Sequence, residues 1–93
     1  MSKLTAGKKR FVKRSLGEAN PTVWVGKDGV SEEVLKEVLK QLGKNRMVKV
    51  KVLAAGLKGD DAKAIALRVA EGTGSALVEV RGHTFMLYKK REQ

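Results

Sequence analysis

The chain has 93 residues, a length that fits one domain with a modest core. Twenty Lys and Arg stand against 10 Asp and Glu, a formal net charge of +10, so a polyanionic partner or an anionic surface is expected. With no Cys at all, disulfides, thiolate metal sites and cysteine nucleophiles are excluded.

No apolar run approaches the ~20 residues of a membrane span. The basic start, Met1 to Thr5, is not followed by an apolar stretch of the kind a signal peptide carries. A cytoplasmic setting is therefore expected. No internal repeat or low-complexity tract is visible, and residues 1–93 are read as one domain.

In chain order, Thr5 is placed to cap a first helix running to about Leu16, with Gly17 beyond its end. Phe11, Val12 and Leu16 fall on one side, where Leu4 can join them. Lys9 and Lys13 are four apart, as are Arg10 and Arg14, so two basic rows stand side by side, and Lys3 and Lys8 extend them. Residues 1–17 hold six basic residues and no acidic one. Like charges at this spacing destabilise an isolated helix. A merely solvated face is the alternative, but the lack of any interleaved acid favours a binding face.

Residues 18–22 hold the only proline and read as a loop, and Thr22 to Val25 as a short strand. Trp24 alternates with Val23 and Val25 and so faces away from them, either packing or stacking a base. Gly26-Lys27-Asp28-Gly29 then reads as a tight Gly-x-x-Gly turn with a lysine at its tip, in which glycine permits positive φ and close approach of another backbone. Amides at the start of the following helix are orphan donors and the helix dipole favours an anion there, so phosphate contact is expected. A plain strand-to-helix connection is the alternative. Asp28, Glu32 and Glu33 oppose a phosphate and are expected to point away from it.

Val30, Val34, Leu35, Val38, Leu39 and Leu42 recur at helical spacing, the strongest periodic signal in the chain. Ser31 fits the N-cap, Glu32 and Glu33 suit the first turn, and Gly43 is expected to end this second helix. Glu33, Lys36, Glu37 and Lys40 form a solvated outer face. Met47 to Leu53 alternates strictly, with Val48, Val50 and Val52 facing one way and Lys49 and Lys51 the other. The two lysines either extend a basic surface or keep one sheet face wet. A glycine-flanked loop, 54–59, precedes a third helix capped by Asp60 or Asp61, with Ala62, Ile65, Ala66, Val69 and Ala70 towards the core and Gly72-Thr73-Gly74 as its stop. Ala76 to Arg81 and Thr84 to Lys89 are strands joined by Gly82-His83, where glycine in the first loop position fits a type II′ turn. Lys89, Lys90 and Arg91 form a basic tail.

The order is α-β-α-β-α-β-β. Strands joined through helices are expected to be parallel and the last pair antiparallel, giving a small layered α/β domain with a mixed four-stranded sheet. At least the second and third helices should cover one face.

Several of these segments resemble one known family. Pro21-Thr22-Val23-Trp24-Val25-Gly26-Lys27-Asp28-Gly29-Val30-Ser31-Glu32 resembles the strand, GxxG loop and helix start of the CRM domain (chloroplast RNA splicing and ribosome maturation). Met47-Val48-Lys49-Val50-Lys51-Val52 is similar to its VKVK strand, and Gly82-His83-Thr84-Phe85-Met86-Leu87-Tyr88-Lys89 to its closing hairpin. Leu4-Thr5 with Lys8, Lys9 and Arg10 resembles its opening helix. Gly17-Glu18-Ala19-Asn20 and Asn45-Arg46-Met47 depart from the Ala-His and His-Glu-Leu often found there. The resemblance covers nearly the whole chain. It implies a small stand-alone RNA-binding domain, a fold similar to the C-terminal domain of translation initiation factor three, and partners that are structured, ribosomal RNA or ribosomal precursor particles. By analogy with KH domains its loop would grip nucleic-acid backbone.

The expected RNA-binding residues are Lys8, Lys9, Arg10, Lys13, Arg14, Gly26, Lys27, Asp28, Gly29, Lys49 and Lys51. Only four aromatics are present, so backbone and shape recognition is expected over reading of single bases. His83 has no metal-ligand partner nearby in the sequence, and nothing resembles a nucleophile with its base or a P-loop. No enzyme activity, cofactor, membrane contact or small-molecule substrate is expected. An architectural DNA binder resembling the archaeal chromatin protein Alba is the alternative function, and a protein-interaction module in ribosome assembly a third.

Overall fold

The computed structural model describes residues 6–17, 19–57 and 61–89. Its elements are α1 (Ala6–Leu16), β1 (Val23–Val25), α2 (Glu32–Asn45), β2 (Met47–Val52), a single turn α3 (Ala54–Leu57), α4 (Ala62–Thr73), β3 (Ala76–Arg81) and β4 (Thr84–Tyr88). The four strands form one mixed sheet in the order β1-β2-β4-β3. β1 runs parallel to β2, while β4 is antiparallel to both β2 and β3. β2 and β3, joined through α4, therefore point the same way as expected, but β4 lies between them.

Strand alternation distributes the side chains. Val23, Val25, Val48, Val50, Val52, Phe85 and Leu87 point to one face, where Val38 and Leu42 of α2 and Ile65, Ala66, Val69 and Ala70 of α4 close over them. This is the main core, and every residue expected to turn α4 inward is buried. On the opposite face Val78, Met86 and Tyr88 meet Val12, with Leu16 and Met47 packed at the margin. Among the described residues α1 is the helix that covers that side, so the layers run α1, sheet, α2 with α4.

The register of β3 slips between Leu77 and Glu79, opposite Leu87 and Met86. This bulge turns two successive residues towards α1, Val78 into its apolar contact and Glu79 to Lys13, where strict alternation would send one of them to the other face.

Several boundaries differ from the sequence expectation. Gly43 does not end α2. The helix continues to Asn45 and closes on Arg46, which takes a left-handed φ of 64° and donates its amide to the Leu42 carbonyl. The Arg46 carbonyl accepts from the Lys89 amide, so a tertiary bond fixes the stop that glycine chemistry did not. In the same way α4 runs through Gly72 and Thr73, and only Gly74, at φ 66°, is the cap. The region read as a loop after β2 begins with the turn α3. Asp61 caps α4 through Oδ1 to the Ala64 amide, while Asp60 lies outside the described residues, as do Leu4, Thr5, Lys90 and Arg91. Phe11 and Leu39, assigned inward from periodicity, are 52% and 41% exposed. Each is the sequence neighbour of a buried valine, about 100° away around the helix, and the narrow contact stripe takes only the valine.

Candidate nucleic-acid interface

The glycine bend is a four-residue turn in which the Gly29 amide donates to the Gly26 carbonyl at 2.9 Å. Gly29 sits at φ 67°, a conformation costly for any residue with a Cβ. Gly26 does not take a positive φ, and a Cβ there would meet nothing within 4 Å. Of the two glycines only the second is demanded by the backbone. Lys27 and Asp28 are exposed at the tip, but Gly29 is buried and its N–H is used inside the turn.

The start of α2 is also partly closed to an anion. The Ser31 hydroxyl accepts from the Val34 amide at 3.3 Å, and Glu32 and Glu33 occupy the first turn with exposed carboxylates that already complement the dipole. The Gly29 and Val34 amides are thus used within the chain and are not open to a phosphate, and the exposed side chains of the bend are Lys27 and Asp28.

On α1, Lys9, Arg10 and Arg14 are exposed, as is Phe11 among them. Lys8 belongs to the helix, with its side chain outside the described set. Lys13 is shared, its Nζ lying 3.6 Å from Glu79 Oε1. The other Glu79 oxygen is 3.3 Å from Arg81 Nη2 but has no partner with hydrogen-bond geometry, so that pair is held by charge alone.

Lys49 and Lys51 share a face but not a role. The Lys49 ammonium donates to the carbonyls of Leu16, Gly17 and Ala19 at 3.0, 3.3 and 2.9 Å. All three of its protons have acceptors at the carboxyl end of α1, where a cation also answers the dipole. In the sequence it was grouped with the RNA-facing lysines; in the structure it is the clamp that holds α1 down. Lys89 does the same for α4, donating to the Thr73 carbonyl at 3.1 Å, which removes it from the expected basic tail. Lys51, in contrast, is exposed.

The sheet register assembles one further set. Trp24 pairs with Lys51, Lys51 with Thr84, and Thr84 with Arg81, a row that crosses all four strands on the α1 face. Trp24 is 53% exposed, so about half of its surface stands in solvent. Arg81 and Thr84 were not among the expected site residues. The two-residue Gly82-His83 loop already places them opposite one another, but their alignment with Lys51 depends on β4 entering the sheet beside β2. His83 is exposed in that loop, and no cluster of three or more His, Asp or Glu able to hold a metal occurs among the described residues.

The family model described as CRS1 / YhbY (CRM) domain matches residues 4–89. The chain belongs to this family. Among curated relatives, a Methanocaldococcus jannaschii protein named "Probable RNA-binding protein" is 41% identical over 90 residues, covering 97% of this chain. The chain spans only 66% of that protein's length. A Haemophilus influenzae protein named "RNA-binding protein" is 32% identical over 93 residues, covering 100% of this chain and 92% of its own. The solution structure of a hypothetical protein from Staphylococcus aureus superposes with a TM-score of 0.77 at 27% identity, covering 98% of this chain and 93% of that one. The layered α/β fold with a mixed four-stranded sheet is thus the family's. Among the described residues no helix is long and apolar enough to cross a membrane.

Proposed function

We propose that residues 1–93 act as one non-enzymatic, cytoplasmic RNA-binding domain whose affinity comes chiefly from phosphate contacts. The observation that carries this is the exposed cation face of α1, with Lys9, Arg10 and Arg14, standing over the same sheet face as Lys51 and Arg81 in a chain of net charge +10. Lys27 on the glycine bend adds a cation beyond the carboxyl end of β1. The names of the relatives support RNA as the polyanion. The family resemblance points to structured ribosomal RNA within ribosomal precursor particles. Lys49 takes no part in this proposal, because its ammonium is spent on α1.

If about six phosphates are neutralised, log affinity falls against log salt with a slope of about −4 to −5. Titration of structured RNA, duplex RNA and duplex DNA at several salt concentrations measures it. A flat salt dependence, or tighter binding to duplex DNA than to any RNA, overturns the proposal.

A further inference from the structure

We propose that the row Trp24–Lys51–Thr84–Arg81 binds a short unpaired stretch of RNA, with one base stacked on the Trp24 indole and neighbouring phosphates on Lys51 and Arg81. This deepens the proposed function and rests on it, naming the state of the RNA that the α1 face receives.

A tryptophan in a strand is ordinarily packed under a neighbouring element. Here α1 lies over β3, β4 and the start of β2 and leaves the indole of the edge strand half in solvent. Lys49 holds the carboxyl end of α1 at that position, so the indole is not waiting for the helix to slide across it. Beside it in register stands exposed Lys51, then the Thr84 hydroxyl, then Arg81, whose side chain is 71% exposed. The row contains no carboxylate. The nearest one placed by the ion pairs, Glu79, is shared between Lys13 and Arg81.

An indole flanked by cations suits a ligand that alternates π faces with negative charge, which is a nucleotide chain, better than an apolar protein surface, which would desolvate the Lys51 ammonium and the Arg81 guanidinium and answer neither with a new charge. Three strand spacings separate Trp24 from Arg81, about 14 Å, room for a run of nucleotides and not one alone. A base inside a duplex keeps both faces stacked, so the ligand is single-stranded or a loop. Of the two roles that the sequence left open for Trp24, packing or stacking a base, the proposal takes the second, and it adds one stacked base to recognition that otherwise rests on backbone and shape.

Trp24 is the only tryptophan in the chain, so its fluorescence reports this row alone. The full chain is titrated with a short oligouridylate, a short oligoadenylate and a blunt RNA duplex, with binding read independently by anisotropy of labelled RNA. The single strands are expected to quench the emission and shield it from acrylamide, while the duplex binds with the emission unchanged. Trp24→Ala is expected to weaken single-strand binding about five- to 150-fold, the value of one stacked base, with Trp24→Phe retaining most of it. Lys51→Ala and Arg81→Ala each reduce the salt slope by about 1.

RNA binding by anisotropy with unaltered emission, and a Trp24→Ala variant that binds as well as the parent, overturns the row and leaves the proposed function standing. Equal quenching by the duplex overturns the single-strand assignment, and emission that depends on protein concentration without RNA means a second copy covers the indole and overturns it too. If no RNA binds at all, both proposals fall. Should Trp24→Ala not fold by circular dichroism, quenching of the parent protein decides.

Discussion

The two faces of the sheet are closed by different forces. Towards α2 and α4, alternating valines with Phe85 and Leu87 meet two amphipathic helices, and burial of apolar surface does the work. Towards α1, Val12 and Leu16 of the helix meet Val78, Met86, Tyr88 and Met47, a much smaller apolar contact among the described residues. The remaining hold is electrostatic: the Lys49 ammonium on three carbonyls and Glu79 between Lys13 and Arg81. α1 also carries like charges on adjacent turns, which favours the unfolded helix unless something answers them. The cationic layer is thus the weakly anchored one, and its anchors are themselves charged groups. A helix face that presents charge gives up apolar contact, and the sheet makes up part of the loss from below.

The comparison breaks most sharply in the main core. Phe85→Ala empties a fully buried position and is expected to cost about 3–5 kcal/mol, a loss of global stability measurable by urea denaturation, with α2, α4 and the sheet failing together. Lys49→Met is expected to act locally. It removes three charge-assisted bonds at a half-buried site, costs about 1–2 kcal/mol, and speeds amide exchange in α1 while leaving α4 protected. Uniform acceleration in α1 and α4 would mean that the two layers open as one and that the clamp idea is mistaken.

The glycine bend sharpens the contrast at smaller scale. Gly29→Ala forces a Cβ into a left-handed conformation and is expected to cost about 1–2 kcal/mol. Gly26→Ala meets open space at an ordinary φ and is expected to be neutral or to stabilise by about 0.4–1 kcal/mol. Thermal unfolding of the pair checks both, and equal losses would disprove the assignment. Smallest of all, Glu79→Gln is expected to change stability by less than about 1 kcal/mol, since both ion pairs are partly exposed. It releases Lys13 and Arg81 for phosphate, so RNA affinity at low salt should rise.

Much of this was legible from one-dimensional pattern. Period-two valines in β2 and period-3.6 valines and alanines in α2 and α4 name the core, because a side chain's face follows from its position in the element. Gly82 at φ 58° closes the hairpin as its place in a two-residue loop required. Ser31 and Asp61 cap their helices because only a short polar side chain there can reach the free amides.

Chemistry alone could not sort the lysines. Lys49 and Lys51 are two residues apart on one strand and identical in type, yet one is a helix clamp and the other is exposed, because α1 ends above the first and stops short of the second. Nor could it place Trp24 beside Arg81, 57 positions away in sequence numbering, since that needs β4 to enter the sheet between β2 and β3. The chain by itself determined which residues turn inward and where backbone must bend, as these follow from local sterics and periodicity. Which cations remain exposed, and which aromatic stands beside them, was decided by the order of strands and the resting place of α1, long-range choices that local sequence does not encode.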